Sequence, residues 1–373
     1  MSFFRSKAGL VLAGVLQAAA ISLPPPTGPY NTTLTTFKLT DKSRLDPYAP
    51  IKTPRALMIS VFNPLPASQC SALLTPYMDP ITAELKDALY APLGIPAGTF
   101  GSINLQTCKS NPRSAEAYPI VIFSPGSGNS RLGYSAMAQQ VSSAGYTVVT
   151  IDHPYDADIV TFPDNSTILG IDIEDDIDFA VDVRAQDVSF VLNQLSQPSI
   201  SQKLIPGVGC DLDVSKIAMF GHSLGGATSA QAMLKDKRIV GGINMDGSFF
   251  STVINRGLKR PFMILSHEGK NITTDESWTA TWKVLTGWKR QFELSGSQHG
   301  TFTDFPLLVA ALGFDGMLGD AGAALLGTIG GLRAMEVITS YVRDFMDFML
   351  KGEKSALLDG KKVYPEMSLD ASS

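Results

Sequence analysis

From residue 118 onward the chain alternates short apolar runs with amphipathic stretches. The last strand candidate is 290–294, and the apolar runs before it cover 118–123, 146–151, 217–220, 239–245 and 262–265 and are rich in Val, Ile, Phe and Met. Each is short enough for a strand and too uniformly apolar for a strand with one wet face. Between them lie stretches at helical spacing. Leu132, Met137, Ala138 and Val141 mark a helix over 131–144 that Gly145 stops. A longer helix with an acidic start covers 173–195, and another covers 223–234. Val337, Ile338, Tyr341, Val342, Phe345, Met346 and Phe348 mark a last one over 332–350. Doubly buried strands alternating with helices predict an α/β architecture, with a mostly parallel central sheet and helices on both faces.

Ahead of this region, 21–30 is proline-rich and reads as extended, and 55–62 reads as a strand. Residues 63–117 read as a proline-rich insertion over the surface, with a helical patch at 81–89. No linker divides the chain, so 21–373 is read as a single domain.

The first twenty residues change the picture. Arg5 and Lys7 precede a run over 8–20 that is apolar except for Gln17 and ends in Ala18, Ala19 and Ala20. This is the pattern of a cleaved signal peptide, and a run so short does not span a bilayer. It predicts a secreted, extracellular protein. Asn31, Asn165 and Asn271 each open an N-x-S/T sequon and become candidate glycosylation sites. An oxidising compartment also permits disulfides. Of the three cysteines, Cys70 and Cys108 flank the proline-rich stretch and are expected to pair, leaving Cys210 free.

Charged residues make up only 17% of the chain, with a formal net charge of −5 and no basic block. Nucleic acid is therefore not an expected partner, because phosphate binding needs clustered Lys and Arg.

The chemistry centres on Gly221-His222-Ser223-Leu224-Gly225. An apolar strand precedes this G-x-S-x-G motif and an alanine-rich helical run follows it. That is the strand–turn–helix setting of a nucleophile elbow, and it predicts the α/β-hydrolase fold with Ser223 as nucleophile. A serine hydroxyl needs a base to take its proton. Of four histidines, His222 sits inside the elbow, and His153 comes too early for the chain order of this fold. His267, just after a strand, is possible. His299, in the loop after the last strand candidate, fits the order Ser–acid–His best. Asp246, at the end of the strand over 239–245, is the leading acid; Glu268, Asp275 and Glu276 are its rivals. No Cys/His cluster has metal-ligand spacing, and the chemistry calls for neither metal nor cofactor.

Two further stretches carry weaker signals. The acidic run over 172–178 lacks the glycine and spacing of a calcium loop and reads as a solvated helix start. The apolar, glycine-rich run over 305–326 reads as packing beneath the last helix, with an acyl pocket or peripheral lipid contact as the alternative.

These residues together resemble the platelet-activating-factor acetylhydrolase-like family of α/β-hydrolases, especially its fungal secreted members. The resemblance covers most of the mature chain. It runs through Leu23-Pro24, Pro26 to Tyr30, Arg44 to Pro47, Val121 to Gly126, Gly221 to Thr228, Met245-Asp246-Gly247 and His299 to Phe305. It implies Ser223, Asp246 and His299 as nucleophile, acid and base. It implies the backbone amides of Leu224 and Ser127, with Gly126 as a near alternative to the latter, as the oxyanion hole. Pro125 departs from the histidine that animal members carry before that glycine. The implied activity is hydrolysis of a small-molecule or lipid carboxylic ester through an acyl-enzyme. Acyl transfer by the same triad and a catalytically inactive binding protein are the competing readings.

Overall fold

The computed structural model describes residues 20–109, 116–208, 212–361 and 364–372. The proposed signal segment, apart from Ala20, and Cys210 lie outside these residues. The strands in chain order are β1 (Ile21–Ser22), β2 (Asn31–Leu45), β3 (Pro54–Leu65), β4 (Ala72–Pro76), β5 (Ile103–Cys108), β6 (Ile120–Ser124) and β7 (Thr147–Ile151). They continue with β8 (Ile159–Thr161), β9 (Thr167–Leu169), β10 (Ile217–His222), β11 (Ile239–Met245), β12 (Phe262–His267), β13 (Lys289–Leu294) and β14 (Met367–Ser372). Twelve of these form one sheet in the order β1-β5-β2-β3-β7-β6-β10-β11-β12-β13-β14, with β4 beside β5; β8 and β9 form a separate hairpin.

The centre, β7-β6-β10-β11-β12-β13, is parallel throughout. Antiparallel strands flank it, β3 beside β7 and β14 beside β13. The result is the mostly parallel sheet that the apolar runs predict, in the α/β-hydrolase arrangement that the G-x-S-x-G motif predicts. Side-chain alternation splits each central strand between two cores. Val121, Phe123, Ala218, Phe220, Ile243 and Met245 face the helices Ser135–Ser142 and Gly331–Met346. Ile120, Ile122, Ile217, Met219, Ile239 and Ile264 face Ile177–Leu195, Leu224–Lys235 and Glu276–Val284. Burial on both sides is why β6, β7, β10, β11 and β12 are mostly apolar on both faces.

Several elements differ from the sequence reading. β2 is a strand of 15 residues where no element is expected, because its threonine-rich sequence, NTTLTTFKLTDKSRL, has little apolar content. Thr is a strong strand former, and β2 pairs with β3 along nearly its whole length. The long helix begins at Ile177, not Ile173; a 3-10 turn over Glu174–Asp176 precedes it, and the Asp176 carboxylate caps it by accepting the Phe179 N–H. The acidic run is thus a helix start. Residues 63–117, read as an insertion, hold β4, the helix Pro80–Tyr90 and β5, and β5 joins the main sheet through β1 and β2.

Cys70 and Cys108 are joined across this segment, with their Cα atoms 5.2 Å apart. The closed loop spans 38 residues, for which chain entropy allows up to about 4 kcal/mol of stabilisation. Reduction is expected to lower the thermal midpoint, and Cys70→Ser should reproduce the loss without reductant. An unchanged midpoint in both would show that the bond contributes nothing.

Candidate active site

The strand order places the site. The chain leaves β6 toward β7 on one side and leaves β10 toward β11 on the other, which opens a crevice at the carboxyl ends of β6 and β10. Ser223 follows β10 there and holds φ +54°, ψ −123°, a conformation L-residues rarely adopt. The turn admits no side chain at Gly221 or Gly225. A Cβ on Gly225 would lie 1.9 Å from the Ser124 carbonyl oxygen, and one on Gly221 would lie 2.2 Å from the Gly225 oxygen. These two glycines let the strand and helix close up and lift Ser223 into the crevice. Its N–H is held by the Met245 carbonyl at 2.8 Å, so the elbow is tied to β11.

Asp246 ends β11, fully buried, with φ +64°. Its Oδ2 accepts a hydrogen bond from His299 Nδ1 at 2.5 Å. It also accepts the Nδ1–H of His267 at 2.8 Å and the His267 backbone N–H at 3.2 Å. Burial alone would raise its proton affinity. The hydrogen bonds from His267 and His299, with Lys270 nearby, outweigh that and hold the carboxyl well below the usual range. His299 is half exposed, and its ring reaches the same cavity as Ser223. The structure therefore brings Asp246 and His299 into direct contact and sets Ser223 and His299 on one cavity wall. His267 shares the acid with His299, an arrangement the sequence does not reveal because the two histidines arrive from different strands. The donor atoms of Asp246, His267 and His299 lie within 4.8 Å of one another, the one such group among the described residues. The contacts of 2.5 and 2.8 Å are hydrogen-bond distances, shorter than the roughly 3.3 Å between ligands around a tetrahedral zinc ion.

The rival acids lie away from His299 in other contacts or positions. Glu268 accepts the Gly296 N–H, Asp275 caps the helix Glu276–Val284, and Glu276 lies in that helix's first turn. His153 does not line the cavity; it belongs to a buried copy of the same wiring. Its Nε2 lies 3.0 Å from Ser124 Oγ and its Nδ1 lies 2.9 Å from Asp187 Oδ2, with all three side chains sealed from solvent. Asp187 also takes a two-pronged contact from Arg55.

The cavity holding Ser223 measures about 210 Å³. Met78, Phe100, Phe305 and Leu326 are among its apolar walls, and Ser127 and Asn129 are among its polar ones. The run over 305–326 divides between core and cavity wall. Pro306, Leu307 and Val309 are buried, with Leu307 in the core beneath the last helix, while Phe305, Leu325 and Leu326 face the cavity. Of the amides implied for an oxyanion hole, Leu224 opens the helix after Ser223, where N–H groups lack intrahelical partners. The Gly126 N–H is taken by the Tyr134 hydroxyl at 3.1 Å.

His222 and His153 carry a measurable signature. Burial first of all pushes them down to about 3 and about 4, respectively. The unfolded chain binds these protons near pH 6.5 and the folded chain does not, so stability present above pH 6.5 is lost as pH falls toward 4. Each contributes a slope of up to about 1.4 kcal/mol per pH unit. Urea titrations of His153→Asn should show a shallower slope over pH 6.5–4.5; an unaltered slope would mean that His153 is charged in the folded protein.

Comparison with known proteins agrees with this fold. The family described as platelet-activating factor acetylhydrolase, isoform II, matches residues 69–193 and 207–351. A probable 1-alkyl-2-acetylglycerophosphocholine esterase of Arthroderma benhamiae is 35% identical, over 92% of this chain and 92% of its own length. The platelet-activating factor acetylhydrolase of Cavia porcellus is 24% identical over 55% of this chain and 53% of its own. A solved ferulic acid esterase from Streptomyces cinnamoneus superposes with a TM-score of 0.79 at 31% identity, covering 94% of this chain and 99% of that one. A fold whose crevice carries a strained serine, matched over most of its length by esterases, identifies this chain as a carboxylic-ester hydrolase belonging to the platelet-activating factor acetylhydrolase family.

Proposed function

We propose that the chain is a secreted esterase that cleaves short-acyl esters, including acetylated glycerophospholipids, through a Ser223–His299–Asp246 triad. The observation that carries this reading is the contact between Asp246 Oδ2 and His299 Nδ1, with His299 and Ser223 on one small cavity. Ser223 Oγ attacks the ester carbonyl carbon while His299 Nε2 takes its proton; Asp246 holds the opposite nitrogen protonated and steadies the imidazolium. The Leu224 and Ser127 N–H groups receive the developing oxyanion. His299 returns the proton to the departing alcohol, and water then releases the acid by the same steps. The short-acyl preference rests on cavity size: about 210 Å³ is below the roughly 300–1,000 Å³ of pockets for drug-sized ligands. Secretion rests on the charged and apolar pattern of residues 1–20 and the Cys70–Cys108 bond. None of the three sequon asparagines, Asn31, Asn165 and Asn271, is buried, as glycan attachment requires.

A series of p-nitrophenyl esters tests the substrate reading. kcat/KM is expected to be highest for acetyl to butyryl and to fall about tenfold or more by decanoyl, as the growing chain outruns the cavity. A rise toward decanoyl would sink the short-acyl assignment.

A further inference from the structure

The loop after β6 carries the Ser127 amide, and two buried side chains grip the peptide units on either side of Gly126. Arg184, in the helix Ile177–Leu195, is sealed from solvent. Its Nη1 donates to the Pro125 carbonyl at 2.6 Å and its Nη2 donates to the Gly126 carbonyl at 3.3 Å. Asp156 holds the guanidinium in register by a two-pronged contact from the other edge. On the opposite side, the Gly126 N–H donates to Tyr134 Oη at 3.1 Å. His222 Nε2 lies 3.0 Å from the His299 carbonyl, which can only accept, so Nε2 carries the proton. His222 Nδ1 is then bare and accepts the Tyr134 hydroxyl proton at 2.8 Å. A single directed chain thus runs from the Gly126 N–H through Tyr134 and His222 to the backbone of His299.

Peptide planarity turns these grips into an orientation. In a trans unit the C=O and N–H point in opposite directions. The unit joining Pro125 to Gly126 shows this directly: its oxygen meets Arg184 and its N–H meets Tyr134 on the far side. The next unit, joining Gly126 to Ser127, also has its oxygen on Arg184, with a second donor in the Asn129 N–H at 3.3 Å. Its N–H, that of Ser127, is thereby turned away from Arg184 toward the side where Tyr134 and the elbow lie. Ser127 lines the cavity shared by Ser223 and His299. The approach is close: a Cβ on Gly126 would stand 3.3 Å from Ser223 Cβ and 3.1 Å from His222 Nδ1.

We propose that Arg184 and Tyr134 are positioning residues that lock the two peptide units flanking Gly126, Arg184 through both carbonyls and Tyr134 through the Gly126 N–H, so that the Ser127 N–H faces the Ser223 cavity and half of the oxyanion hole is built before substrate arrives. This rests on the reading of Ser223 as nucleophile and of Leu224 and Ser127 as oxyanion donors. With the guanidinium fork gone, the peptide is free to turn and the Ser127 N–H leaves its aim. Because that N–H bonds most strongly to the charged oxygen of the transition state, the loss falls on kcat more than on KM.

The experiment compares wild type with Arg184→Lys, Arg184→Met and Tyr134→Phe. Thermal melts report folding, ester turnover gives kcat and KM, and a trifluoromethyl ketone, whose hemiketal carries an oxyanion, reports the hole itself. Arg184→Lys keeps a cation beside Asp156 and decides the matter if Arg184→Met does not fold. Folded Arg184 variants are expected to lose about 10–10³-fold in kcat, with KM within about threefold. Ketone affinity should fall in proportion to kcat/KM. Tyr134→Phe should show the same pattern at smaller size. Unchanged ketone affinity in folded Arg184 variants, or a loss confined to KM, would overturn the proposal. Fluorophosphonate labelling of wild type keeps the two readings separate. If Ser223 is not labelled, the nucleophile assignment fails first; if it is labelled and the Arg184 variants behave as wild type, only the positioning role fails.

Discussion

Ser223→Ala is expected to reduce ester hydrolysis by about 10⁴–10⁶-fold while leaving the fold intact. The loss is large because no other hydroxyl stands on that turn. The backbone torsions that expose Ser223 are set by Gly221, Gly225 and the bond to the Met245 carbonyl, all of which survive the substitution. Alanine at the same φ of +54° keeps the strain and loses only the oxygen. A fluorophosphonate probe should label the wild type at Ser223 and leave the variant untouched. Equal labelling of the variant would move the nucleophile elsewhere.

Asp246→Asn is expected to lower kcat by about 10⁴-fold. The carboxylate accepts the Nδ1–H of His299, which leaves Nε2 bare to receive the serine proton. An asparagine amide can donate to Nδ1 instead and trap the opposite tautomer. The structure adds a control, because Asp246 also accepts from His267. If the acid acts through His299 alone, His267→Gln should cost far less than Asp246→Asn. Comparable losses in both would mean that the paired histidines act as one unit. Near-normal turnover in Asp246→Asn, with a collapse on changing Asp275 or Glu268, would assign the acid to the later loop.

Much of this arrangement is legible in the sequence because doubly buried strands leave an unmistakable trace. β6, β7, β10, β11 and β12 are apolar at nearly every position, and the elbow announces itself through glycines that sterics make compulsory. The antiparallel additions are harder to see. β2 is threonine-rich with many part-exposed positions, and β14 alternates around a single buried Met367, so neither shows the apolar density that marks the centre. At the site, chain order points to His299 and Asp246, which the structure holds in contact. It says nothing of His267 on the same carboxylate, nor of Arg184 behind the loop. Those contacts join elements 21 and 58 or 59 positions apart, and no local pattern encodes them.

The buried Ser124–His153–Asp187 set has a consequence for how active sites are recognised. A template that searches for a hydroxyl, an imidazole and a carboxylate at bonding distance would retrieve it, since its links are closed at 3.0 and 2.9 Å. Yet it works as a rivet, fastening the end of β6 to the helix Ile177–Leu195 from inside the fold. The chain therefore holds its own matched comparison: one set of side chains opening on a crevice, another sealed where neither ester nor water arrives. Covalent reagents sorting between Ser223 and Ser124 would read out reach rather than wiring.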